Sequence, residues 1–124
     1  MKRTSGTDEQ KRQAGKKAAS YVCSGDTVGL GTGSTAAMAV RELGKRVTNG
    51  LTIQAVPTSY ATADLAQDAD IPLCGLSAIE HIDIAIDGAD QVTESCDALK
   101  GGGAAHTTEK IVASRASEFI IIVD

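Results

Sequence analysis

The stretch "TVGLGTGSTAAMAVRELGKRV", Thr27 to Val47, decides how this chain is read. "TVGLG" has the look of a short strand. "TGSTAAMAVRELGKRV" is a helix, because its apolar Ala37, Val40, Leu43 and Val47 recur at three- and four-residue steps. A glycine-rich turn joins them, which makes one strand-loop-helix unit.

The flanking sequence repeats that unit. On the amino-terminal side, "TDEQ" reads as a capping box with Thr7 as N-cap and Gln10 three residues on, opening a helix through Ala14, Ala18, Tyr21 and Val22 that "SGD" ends. On the other side come a strand "LTIQAV", a helix from about Thr58 through "ATADLAQDA", a short strand "IPLC", and the apolar run "IDIAI" ending in "DGAD". After a loop follow "KGGG", a helix "AAHTTEKIVASRA" and a last strand "FIIIV". Strands alternate with helices, and their β-branched runs lack a polar face. Both features predict a Rossmann-like three-layer α/β domain with a mostly parallel sheet covered on both faces. No low-complexity linker interrupts the chain, so residues 1–124 read as a single domain.

Composition narrows the function classes. With 124 residues and 42% hydrophobic content the chain can bury a real core. Aromatic residues make up 2%, Trp is absent and the net charge is -4, which argues against a nucleic-acid partner. The charged start "MKRTSGTDEQKRQAGKKAA" lacks the apolar centre of a signal peptide, and no run is long and apolar enough to span a bilayer. The expectation is a cytoplasmic protein without a membrane partner. Cys23, Cys74 and Cys96 are widely spaced with no CxxC pair, so they read as buried reduced thiols rather than a disulfide framework or a zinc site.

In open α/β sheets ligands bind outside the carboxyl ends of the strands, where "GTGST", "PTS" and "DGAD" all fall. Gly31, Gly33 and Ala36 fit the dinucleotide pattern G-x-G-x-x-G/A, but the next strand ends in Pro57, Thr58 and Ser59 instead of the acid that would hold a ribose. The Gly-Lys-Ser/Thr ending of a nucleotide triphosphate loop is also missing. What remains is a helix N-terminus with free backbone N–H groups and the hydroxyls of Thr32, Ser34 and Thr35, which suits one terminal phosphate. The plain alternative is a glycine-rich turn with Ser or Thr as a cap.

"DGAD" sets Asp87 and Asp90 three residues apart, where they can accept from sugar hydroxyls, act as acid or base, or merely satisfy loop amides. No third ligand lies at a telling spacing, so a metal site is not expected. In "LKGGGAAHTTEK", Lys100 and Glu109 flank Gly101, Gly102 and Gly103. A lysine beside a glycine-lined cavity can stabilise an enediolate oxygen, and a partly desolvated glutamate is a suitable carbon-acid base; alternatively Glu109 is an ordinary exposed helix charge. His81 reads as a loop residue, and His106 as near the site but not needed by it. The basic run with Lys11, Arg12, Lys16 and Lys17 reads as a solvated helix face from which one lysine could reach a phosphate.

Together "GLGTGSTA", "DGAD" and "KGGGAAHTTEKI", in this order and at this separation, resemble ribose-5-phosphate isomerase of the A type, from about Lys11 to the end of the chain. The resemblance implies a metal- and cofactor-independent interconversion of D-ribose 5-phosphate and D-ribulose 5-phosphate through an enediolate, in the pentose phosphate pathway. It implies that Glu109 carries the proton between C2 and C1 and that Asp87 assists ring opening and hydroxyl proton transfers. Asp90 and Lys100 would hold the reacting oxygens. Thr32, Gly33, Ser34 and Thr35 would form the substrate loop, Ser34 and Thr35 taking the phosphate with help from Lys11, and Gly101, Gly102 and Gly103 would leave room for the sugar. The family usually forms homo-oligomers, so a dimer or tetramer is expected.

Four departures from the family pattern stand out. His106 and Thr108 replace an apolar residue and an arginine, Gln91 follows "DGAD" where an acid is common, and the chain stops at "FIIIVD" where family members continue into a further α+β portion. The expectation is therefore a fragment or a truncated chain, with a second phosphate-binding lysine expected soon after Asp124. The rival readings are a non-catalytic sugar-phosphate sensor, an amino-sugar phosphate deaminase and an acyl-CoA transferase. Against the sensor, no helix-turn-helix precedes the domain and all four candidate catalytic residues are present; the pairing of "DGAD" with "KGGG" favours the isomerase over the other enzymes.

Overall fold

The computed structural model describes residues 3–89 and 107–123, and only the backbone of 3–7 and 107–109. Its elements are α1 (Arg3–Ser20), β1 (Thr27–Leu30), α2 (Ser34–Thr48), β2 (Gln54–Pro57), α3 (Tyr60–Asp68), a 3-10 turn (Leu76–Ala78), β3 (Ile82–Gly88), α4 (Thr107–Arg115) and β4 (Ala116–Ile122). The four strands pair in the order β2-β1-β3-β4, every neighbouring pair parallel. Val28 lies opposite Ala55 on one side and Ile84 on the other. β1 is buried along its whole length, which explains why "TVGL" carries no polar alternation.

Side chains alternate across the strands, so each strand feeds two cores. On one face Val28, Leu30, Ile84 and Ile86 pack with Ala19 and Val22 near the end of α1, Val40 and Leu43 of α2, and Ala66 of α3. On the other, Val56 and Ala85 pack with Val112 of α4 and the partly buried Phe119. Helices therefore lie on both faces, giving the three-layer Rossmann-like α/β arrangement. Each fully buried Val, Leu or Ile side chain stabilises it by about 1.5–3 kcal/mol.

Two glycines set how closely neighbouring elements approach. A β-carbon on Gly29 would lie 2.4 Å from Cγ1 of Val112, so α4 rests directly on β1. A β-carbon on Gly15 would lie 2.8 Å from the Ala39 nitrogen and from Cβ of Met38, so α1 rests directly on α2. Arg46 extends that second contact by donating to the carbonyls of Ala19 and Val22 at the carboxyl end of α1.

Some sequence expectations need correction. The first helix starts at Arg3, so Thr7 lies inside it and is not its N-cap; Thr4, Ser5, Gly6 and Thr7 are all weaker helix formers than alanine, Gly6 the weakest at about 1 kcal/mol. "IPLC" forms no strand but a single bridge, Ala55 to Leu73. Pro72 lacks the N–H that would extend the ladder. β4 begins at Ala116, directly after α4, rather than at Phe119. Cys23 is exposed in a connecting segment and Cys74 is only half-buried where it packs against the second core, so neither is the buried thiol expected; Cys96 lies outside the described residues. No described helix is long and apolar enough to cross a membrane.

Candidate functional site

From β1 the chain crosses through α2 to β2 on one side, and later reaches β3 on the other side of β1. The sheet thus has its switch point between β1 and β3, where a crevice opens outside the carboxyl ends. Gly31 continues the pairing by donating from its N–H to the Ile86 carbonyl at 2.8 Å, and then the backbone leaves the sheet. Gly33 turns it into α2 with φ 97°, a left-handed value that glycine adopts without strain. It is the N-cap of α2 and no side chain caps it, so Ser or Thr capping does not account for this loop. The first-turn N–H groups of α2 and its positive dipole end lie at the mouth of the crevice.

Lys11 joins this corner from α1, its Nζ donating to Ser34 Oγ at 3.1 Å. The register of the two helices brings it there: Lys11 lies one turn before Gly15, and Ser34 lies one turn before Met38, against which Gly15 packs. Arg12 instead turns to Glu9, with Nη2 2.7 Å from Oε2. That hydrogen bond, helped by one from Gln13, holds the Glu9 carboxyl below the usual carboxylate range. Of the basic run, Lys11 is thus the cation at the start of α2.

Asp87 closes the other wall. It is 5% exposed, and its Oδ1 accepts from the Gly88 N–H at 2.8 Å. Its carboxylate lies against the α-carbon of Gly31: a β-carbon there would be 2.0 Å from Cγ. Gly88 lies beside Thr35, with 3.6 Å between the position of an added β-carbon and Cβ of Thr35. "GTGST" and the start of "DGAD" therefore meet in one place.

The loop after β2 completes the rim. Thr58 donates from its backbone N–H and its Oγ1 to the Leu30 carbonyl, at 3.0 and 2.9 Å. Ser59 caps α3 by accepting from the Thr62 N–H and lies 2.6 Å from Thr32 Oγ1. "PTS" is the rim loop its place after a strand implies, whereas Thr62, whose Oγ1 donates to the Gly31 carbonyl at 2.9 Å, is a rim residue the sequence does not announce. No pattern marks a helical threonine whose partner lies so far away in the chain.

α4 runs opposite to the strands. Arg115 at its end donates to the carbonyls of Leu76 and Ile79, ahead of β3, at 3.0 and 2.7 Å. Its first turn therefore lies at the carboxyl edge of the sheet, and Glu109 is its third residue. The Glu109 side chain and the whole of Asp90, Lys100, Gly101, Gly102, Gly103, Gln91 and His106 lie outside the described residues. Among those described, no three His, Cys, Asp or Glu side chains gather as a metal site would need.

A parallel sheet covered by helices on both faces, with a glycine turn, a lysine and a buried carboxylate at its switch point, defines a Rossmann-like α/β domain. The family model of ribose 5-phosphate isomerase A (phosphoriboisomerase A) matches residues 54–124, more than half of the chain. The chain belongs to that family. It is 53% identical to ribose-5-phosphate isomerase A of Haloquadratum walsbyi over 124 residues, covering 100% of this chain and 52% of that protein. For the isomerase of Natronomonas pharaonis the figures are 55% identity, 100% and 54%. The solved ribose 5-phosphate isomerase A of Methanocaldococcus jannaschii has a TM-score of 0.76 at 45% identity, over 91% of this chain and 51% of that one. A D-ribose-5-phosphate isomerase in complex with phospho-erythronic acid has a TM-score of 0.77 at 40% identity, over 91% and 50%. The chain spans about half the length of the relatives it matches.

Proposed function

We propose that this chain carries the catalytic portion of an aldose-ketose isomerase that interconverts D-ribose 5-phosphate and D-ribulose 5-phosphate. The observation that supports this best is the meeting of Lys11, Ser34, the uncapped start of α2 and the buried Asp87 at one corner of the sheet. Such a corner suits a ligand with a phosphate at one end and hydroxyls at the other. Phospho-erythronic acid, held by a similar isomerase, is a phosphorylated sugar acid of that kind.

In the reaction one proton moves from C2 to C1 and another from O2 to O1, through an enediolate. A proton beside a carbonyl is a poor acid, so a base can remove it only if the oxyanion is stabilised at the same moment. Glu109 is the proposed base. Asp87 assists ring opening and the hydroxyl proton transfers, and Asp90 and Lys100 hold the oxygens. Thr32 and Gly33 shape the substrate loop, Ser34 and Thr35 with Lys11 take the phosphate, and Gly101 to Gly103 leave space for the sugar. Holding the remote phosphate orients the reacting carbons. No metal or cofactor enters the scheme. The same reading assigns the protein to the pentose phosphate pathway in the cytoplasm, as a single domain working in a homo-oligomer, dimer or tetramer.

Conversion of D-ribose 5-phosphate to the ketose by the purified protein tests this, with Glu109→Gln beside it and circular dichroism on both. Glu109→Gln is expected to lose about 10²–10⁴-fold in turnover while still binding the sugar phosphate. Wild-type turnover in that variant would remove Glu109 from the scheme.

A further inference from the structure

Three hydroxyls tie the loop after β1 to the start of α3. Thr32 Oγ1 and Ser59 Oγ lie 2.6 Å apart, Ser59 Oγ lies 3.0 Å from Thr62 Oγ1, and Thr62 Oγ1 lies 2.9 Å from the Gly31 carbonyl oxygen. The direction of this relay follows from what each group can do. A carbonyl only accepts, so Thr62 donates its one hydroxyl proton to Gly31. Toward Ser59 it can then only accept, which commits the Ser59 proton to Thr62. Ser59 already accepts from the Thr62 N–H at 3.2 Å, and its remaining lone pair takes the proton of Thr32. Thr32 is left with lone pairs alone for any other partner.

Thr62 is 4% exposed, and its hydroxyl is aimed at a loop in the next layer rather than back along its own helix, where a helical threonine commonly bonds. We infer that Thr62 is a positioning residue: it anchors the Gly31 carbonyl and polarises the relay, so that the substrate loop is fixed and Thr32 can meet a ligand only as an acceptor. Resting on the isomerase reading, this makes Thr32 a group for a sugar hydroxyl, which donates, and leaves the phosphate to Ser34, Thr35 and Lys11.

Thr62→Val keeps the shape of the side chain and the Ser59 cap on the backbone while deleting the hydroxyl, and Thr62→Ser restores the hydroxyl. With D-ribose 5-phosphate as substrate, Thr62→Val is expected to raise KM about tenfold with a smaller fall in kcat, and Thr62→Ser to return KM to within about twofold of wild type. A merely structural role would lower the folded fraction, hence apparent kcat, and leave KM in place. The inference is overturned if KM for Thr62→Val stays within about twofold of wild type, or if Thr62→Ser fails to restore it. A wild-type protein that does not turn over the sugar counts against the isomerase reading alone, and amide exchange then decides. The Gly31 and Ala37 amides, bonded to Ile86 and Gly33 carbonyls, should exchange about tenfold faster relative to β3 in Thr62→Val and recover in Thr62→Ser. Unchanged exchange overturns the positioning role.

Discussion

Gly31 and Asp87 occupy space that only one side chain can fill: a β-carbon on Gly31 would lie 2.0 Å from Cγ of Asp87 and 2.1 Å from Oδ1. The end of β1 is thus bare because the end of β3 carries a buried carboxylate. Gly31→Ala should push that carboxylate from its place, costing about 1–3 kcal/mol in stability. If Asp87 acts as proposed, turnover of ribose 5-phosphate should fall about 10²-fold, since a displacement of that size costs that much when it misplaces a group the reaction uses. Thermal unfolding and steady-state kinetics on one preparation check both, and a variant with wild-type turnover would detach Asp87 from the chemistry.

Asp87→Asn separates charge from shape. The amide keeps an oxygen for the Gly88 N–H, which Oδ1 accepts in the wild type, so the fold should persist. What is lost is the ability to take a proton. Turnover should drop about 10²–10⁴-fold while the affinity for ribose 5-phosphate, measured by calorimetry, changes little.

Lys11 reaches Ser34 because Gly15 lets α1 lie on α2. Lys11→Ala should raise KM about 10–100-fold, the range of a hydrogen bond to a charged group, with a smaller change in kcat. Gly15→Ala, whose new methyl would meet the Ala39 nitrogen and Met38 Cβ at 2.8 Å, should act from a distance. It is expected to raise KM too, while lowering the unfolding midpoint, which Lys11→Ala should leave nearly unchanged.

Much of this fold is legible because its signals are local. Buried parallel strands need apolar β-branched runs, and "TVGL" and "IDIAI" became β1 and the core of β3. The meeting of "GTGST" with Asp87 was legible through the rule that parallel strands expose their carboxyl ends together. "IPLC" misled because its apolar content suited a strand while Pro72 denied it the ladder. Thr62, Gly15 and Gly29 were invisible for another reason. Their importance lies in contacts between elements remote in sequence, and no residue nearby announces a helix about to pack there.

Gly29 and Val112 provide the sharpest test of that last kind of contact. A β-carbon on Gly29 would sit 2.4 Å from Cγ1 of Val112, so Gly29→Ala must drive α4 away from β1, at a cost of about 1–3 kcal/mol. Val112→Ala alone removes buried methyls and should cost about 1–3 kcal/mol through the space it leaves. In the double variant the new methyl enters the space the valine vacates. Its destabilisation should therefore be smaller than the sum of the single effects by about 1 kcal/mol or more. Chemical denaturation of the four proteins closes this cycle, and strictly additive values would mean that α4 does not rest on β1 through this pair. Because Glu109 lies one turn before Val112 on α4, turnover should follow the same order, lowest in Gly29→Ala and partly recovered in the double variant.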